Sequence, residues 1–87
     1  MRSPGYYGKP LSPGQIAALR LAASGYTSRQ IAARLNSTEQ GVHLRLKEAQ
    51  IRLGARSRTH AVVIALRRTL IRFDDLELPD QQREAAA

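Results

Sequence analysis

Apolar residues recur along this chain at helical spacing, and capping and turn residues punctuate them. No stretch alternates as a strand does. Residues 12–24 predict a first helix with Ile16, Leu19 and Ala23 on one face. Ser12 is suited to cap it, Pro13 to the first helical position, Gln15 to complete a capping box, and Gly25 to a left-handed stop. A short second helix is predicted over about 28–35, capped by Thr27 with Gln30 as box partner. Ile31, Ala32 and Leu35 form its inner face, Ala32 and Ala33 permit close helix approach, and Asn36 tolerates a turn. A third helix starts near Ser37 or Thr38 and runs to Leu53, burying a stripe of Val42, Leu46, Ala49 and Leu53 before Gly54 ends it. Ser57 caps a fourth, over about 58–72, whose core side reads as Val62, Val63, Leu66, Leu70 and Phe73. Ile64 and Ile71 fall on its opposite side, one heptad apart and flanked by Arg67 and Arg68, as either two isolated exposed apolar residues or a seam for a second copy.

The ends differ in pattern. Pro4, Gly5, Gly8 and Pro10 make residues 1–10 a flexible arm, with Tyr6 and Tyr7 able to fold back. Residues 74–87 are an acidic tail containing Pro79 and closing on three alanines. The expected architecture is all-α: an arm, a four-helix domain over 11–73, and the tail. The tail has two readings. It is a disordered solubilising end, or Leu76 and Leu78 dock while its carboxylates oppose an anionic partner.

The two- or three-residue turn between the second and third helices is helix-turn-helix spacing. In that motif one helix braces across the DNA backbone and the next enters the major groove of double-stranded DNA, which is wide enough to admit it. At about 100° per residue, the face opposite the Val42–Leu53 stripe carries Gln40, Leu44, Lys47 and Ile51, flanked by Gly41 and His43. Gln40 suits adenine and Leu44 a thymine methyl. Lys47 suits guanine or phosphate, and His43 either. Arg29 and Arg34 on the bracing helix, and Arg45, suit phosphates.

Charge sharpens this picture. The 87 residues carry a net charge of +7, unevenly spread. Residues 1–72 hold thirteen Lys and Arg against Glu39 and Glu48, whereas 73–87 hold Arg83 against five carboxylates. A basic body implies a polyanionic partner, most often nucleic acid. With no cysteine and two histidines (His43 and His60) far apart, neither disulfides nor a metal set is expected, and no cofactor. A domain this small must rely on helix packing and self-association. The longest apolar run, Ala61–Leu66, is six residues, so neither a membrane span nor a signal peptide is expected, and the reading is a cytoplasmic, nucleoid-associated protein.

Beyond the motif, the order Leu11-Ser12-Pro13, Leu19-Arg20-Leu21-Ala22-Ala23, Gly25, Thr27 through Leu35, Val42, Leu53 through Thr59 and Ala61-Val62 resembles the LuxR/GerE-type (FixJ/NarL-type) DNA-binding domain over 11–66. The stretch from Leu53 to Val62 is the specific part, and it separates this family from sigma-factor region 4. The resemblance implies a four-helix domain, transcriptional regulation, and dimers formed through the fourth helix. The chain departs from the family pattern at Gly41-Val42-His43, where Thr-Val-Lys is usual, at Gly14-Gln15, where Arg-Glu is frequent, and at Ser37, where an apolar residue is usual.

The expectation is therefore a stand-alone, homodimeric regulator that reads a two-fold symmetric site with residues 38–53. The alternative is an interaction module that docks its helix-turn-helix on RNA polymerase, a sigma factor or another regulator. An enzyme is not expected, since the sequence holds no nucleophile–base pair, phosphate-cradling glycine loop or metal set.

Overall fold

The computed structural model describes residues 9–78. Residues 1–8 and 79–87 lie outside the described residues, and with them Tyr6, Tyr7, most of the expected arm and the end of the expected tail. Among the described residues are four helices and one 3₁₀ turn, with no strand: α1 (Pro13–Ala23), α2 (Ser28–Arg34), α3 (Glu39–Leu53), α4 (Arg58–Arg67) and the turn Phe73–Asp75. The all-α, four-helix expectation holds.

Each helix begins where a hydroxyl satisfies its first unpaired amides. Ser12 accepts from the Gln15 amide at 3.1 Å and Thr27 from that of Gln30 at 3.2 Å; both glutamines return a bond to the cap. Thr38 accepts from the Gly41 amide at 2.9 Å and Ser57 from that of His60 at 3.0 Å. The stops are backbone conformations. Gly25 (φ 95°), Asn36 (φ 54°) and Gly54 (φ 68°) turn left-handed after α1, α2 and α3.

The core gathers around α3, which packs against the other three helices. Its stripe of Val42, Leu46, Ala49 and Leu53 is buried as expected. Against it lie Ala18 and Leu19 of α1, Ile31 and Ala32 of α2, and Ala61 and Ala65 of α4. The alanines at these contacts let helix axes approach closely. Two polar residues are also inside, Gln15 and Ser28; Gln15, only 3% exposed, donates its amide to Glu48 at 2.9 Å and ties the start of α1 to the middle of α3.

The fourth helix departs from its sequence reading. It ends at Arg67, about a turn and a half early, because Thr69 takes a left-handed conformation (φ 59°). The Leu70 amide then bonds back to the Ala65 carbonyl at 2.8 Å. This reversal swings Ile71 into the core, where it is 1% exposed, and leaves Phe73 75% exposed. The expected seam of Ile64 and Ile71 is therefore not an outer face. Ile71 is a core residue, Ile64 is half-buried against the core, and only Arg67 and Arg68 remain exposed. Val63 and Leu70, expected inside, are exposed instead.

The start of the acidic segment is folded. Leu76 packs against the core edge, and Leu78 stays exposed. Asp75 Oδ2 lies 3.8 Å from Arg20 Nε, and the Glu77 amide donates to Ser24 Oγ at 2.9 Å. Among the described residues no helix is long and apolar enough to cross a membrane.

Candidate nucleic-acid interface

The turn joining α2 to α3 is fixed by its backbone. Asn36 adopts its left-handed conformation and the Ser37 amide donates to the Ala32 carbonyl at 2.8 Å. This closes a helix-turn-helix in which α3 is supported from behind by α1, α2 and α4. Its opposite side is left outward.

On that outward side Gln40, His43, Leu44 and Lys47 are exposed, Leu44 by 57%, and Ile51 is half-buried. The structure brings the first four together on one helix surface. His43 lies 3.9 Å from Glu39 one turn earlier, an exposed pair that contributes little. Lys47 makes no ion pair among the described residues. A groove of about 480 Å³ runs along this surface, lined by His43, Leu44, Lys47 and Gln50 of α3 and by Arg58 of α4.

Arg58 was given no role by the sequence reading. Its guanidinium donates to Ser28 Oγ at 3.1 Å and to the Tyr26 carbonyl at 3.5 Å, so it pins the start of α2 beside the α3 groove. The signal was present in the family-like Ser57-Arg58-Thr59, but periodicity alone cannot tell that a residue opening α4 reaches α2.

The remaining cations divide. Arg29 is exposed on α2. Arg45 is half-buried on the flank of α3 away from the groove and runs beside Gly14 at the start of α1. A Cβ at Gly14 would lie 3.5 Å from Arg45 Nε. Arg34 is exposed but engaged. Its Nη1 donates to both carboxylate oxygens of Glu77, at 3.1 and 3.0 Å, and its guanidinium lies 4.2 Å from the Tyr26 ring centroid. The Tyr26 hydroxyl donates to the same carboxylate. That bond, with some desolvation, pushes the Tyr26 phenol above its ordinary value, against the opposing pull of Arg34.

Gly41 and Ser37, two of the departures from the family pattern, are linked by geometry. A Cβ on Gly41 would come within 2.8 Å of Ser37 Oγ and 3.1 Å of Thr38 Oγ1. With hydroxyls at 37 and 38 crowding the first turn of α3, glycine is the residue that fits without displacing the cap. The departure at Gln15 is likewise structural, since this side chain serves both the α1 cap and Glu48.

Among the described residues no group of three or more histidines and carboxylates is placed to hold a metal ion. No curated protein matches the sequence. A family model does match, that of bacterial regulatory proteins, luxR family, over residues 9–65. Domains of this family are DNA-binding regulators rather than enzymes. The matched stretch contains α1, α2 and α3 whole and α4 as far as Ala65, with both halves of the helix-turn-helix. It makes this chain a member of the luxR family of bacterial regulatory proteins, carrying the DNA-binding helix-turn-helix domain of a transcription regulator.

Proposed function

We propose that the chain binds double-stranded DNA in a sequence-specific way as a homodimer, with α3 in the major groove. The observation that carries this reading is the exposed set Gln40, His43, Leu44 and Lys47 on a helix braced by the other three. Gln40 reads adenine, Leu44 meets a thymine methyl, and His43 and Lys47 address guanine or phosphate. Arg29 on α2 and Arg45 on the flank of α3 hold phosphates and set the register. Gly41 keeps the start of α3 slim enough to sit deep in the groove. Such a protein acts in the cytoplasm, at the nucleoid.

The homodimer rests on an apolar strip other than the isoleucine pair. Val63 (53% exposed) and Phe73 (75% exposed), with Leu66 between them and Arg67 at the rim, line a shallow groove of about 360 Å³ on the free side of α4. An exposed strip of this kind in so small a domain suits a second copy. Pairing through it presents two α3 helices to a two-fold symmetric site.

Selection of bound fragments from genomic DNA, followed by shift assays over a range of salt, tests the reading. A recurrent palindromic sequence, bound less tightly as salt rises, is the expected result. Lys47→Ala should weaken that binding by about 1–3 kcal/mol if Lys47 holds a base. Val63→Glu should leave the helices folded but give monomer mass in sedimentation and weak binding. The DNA reading fails if no sequence is enriched and the protein instead forms a stable complex with RNA polymerase or another regulator.

A further inference from the structure

The Glu77 carboxylate accepts three hydrogen bonds from two side chains of kinds that also serve other anions. Arg34 donates to both of its oxygens, the Tyr26 hydroxyl donates to one, and Ser24 Oγ receives the Glu77 amide and so fixes where the carboxylate falls. The Arg34 plane over the Tyr26 ring keeps the two donors facing the same point. A DNA phosphodiester presents what this carboxylate presents: two equivalent oxygens sharing one negative charge. Arginine and tyrosine are both suited to it.

The arrangement is continuous with the α3 groove. The carbonyl of Tyr26 accepts from Arg58, and Arg58 lines that groove beside His43 and Lys47. It is also releasable. Arg34 and Glu77 side chains are 48% and 45% exposed, Asp75 and Arg20 are paired at the surface, and exposed pairs contribute little net stability. Among the described residues of the segment Leu76 is the one half-buried anchor, and Leu78 beyond it is exposed.

We propose that Tyr26 and Arg34 form a cradle for a DNA backbone phosphate, and that Glu77 is a competitor built into the chain, which DNA must displace to engage it. The inference rests on the DNA-binding reading above. It makes the acidic segment a brake on phosphate contact at the flank of α2. It also explains why a carboxylate is bonded to a cation of the bracing helix.

The test uses the full chain and a short mixed-sequence DNA duplex, whose non-specific binding reports phosphate contacts alone. Glu77→Gln keeps the side chain's size and removes its charge. It should raise affinity several-fold and steepen the slope of log K against log salt by about 0.9, the value for one further phosphate. Asp74→Asn removes one carboxylate from the same segment, at an exposed position. It should give the smaller gain expected from net charge, with no change in slope. Arg34→Ala should cost little in the parent chain and abolish the gain in the Glu77→Gln background. Equal effects of Glu77→Gln and Asp74→Asn, or an equal cost of Arg34→Ala in both backgrounds, would overturn the cradle.

A second readout is independent of DNA. Inorganic phosphate should shift the Tyr26 ring and Arg34 side-chain NMR signals in Glu77→Gln and not in the parent chain. If no variant binds the duplex while phosphate produces these shifts, the DNA reading falls and the cradle stands. If phosphate produces no shift, the cradle falls.

Discussion

Ile71 is the residue at which helical periodicity and three-dimensional structure disagree most, so replacing it by alanine separates them. On an outer seam, Ile71→Ala would cost the monomer within about 0.5 kcal/mol, as surface changes do. In the structure Ile71 is 1% exposed and among the largest fully buried side chains, with Leu19, Ile31 and Val42. Removing its three outer carbons forfeits about 2.4 kcal/mol of transfer free energy at roughly 0.8 kcal/mol per carbon. The cavity adds to this, and buried isoleucine-to-alanine changes cost about 2–5 kcal/mol in all. A domain spanning residues 9–78 has a total stability of about 4–10 kcal/mol at the usual 0.05–0.15 kcal/mol per residue. A loss of about 3 kcal/mol is therefore a large share of it, and should lower the melting temperature by about 12–24 °C. The assay is thermal and urea unfolding followed by circular dichroism at one fixed protein concentration, since dimerisation would make the midpoint concentration-dependent. Leu44→Ala, at a 57% exposed position of α3 outside the proposed seam, is the reference. If Ile71→Ala melts within about 2 °C of Leu44→Ala, the chain reversal after Arg67 is wrong and the longer helix is right, a limit that follows from the conversion of surface effects to temperature.

Two further outcomes follow from particular geometries. Thr69 is exposed and left-handed, a conformation that costs an L-residue about 1–2 kcal/mol. Thr69→Gly should raise the melting temperature by a few degrees after the entropy of the freer chain is deducted, and a fall would show that the threonine is not strained there. The Tyr26 phenol should titrate above the ordinary value of about 10 when its ring signals are followed by NMR. Because folding raises this value, the contribution of the contact to stability is fully present below the unfolded value and is lost as pH rises through the folded one. Glu77→Gln removes the accepting carboxylate, the largest cause, and should bring the titration down. An unchanged Tyr26 titration would show that the hydroxyl does not bond Glu77 in solution.

The sequence by itself determined the helices wherever a local signal marks their ends. Ser12, Thr27, Thr38 and Ser57 open the four helices because a hydroxyl satisfies amides three residues ahead, an interaction that needs nothing outside the segment. Gly25, Asn36 and Gly54 close three of them, because these residue types enter the left-handed region at low cost. The outward set Gln40, His43, Leu44 and Lys47 was legible for the same reason: one buried stripe on a regular helix places every other residue.

Tertiary structure decided the rest. No glycine or asparagine announces the end of α4, and Leu66, Leu70 and Phe73 keep helical spacing past it. Only the burial of Ile71 in the core accounts for a threonine held left-handed at 69. Arg58 and Glu77 gain their partners across 30 and 43 residues, at Ser28 and Arg34. Pairings at that separation depend on how helices pack rather than on spacing within them. The outward face of α3 was therefore written in the chain, whereas the outer face of α4 and the carboxylate over α2 exist only once the chain has turned back on itself.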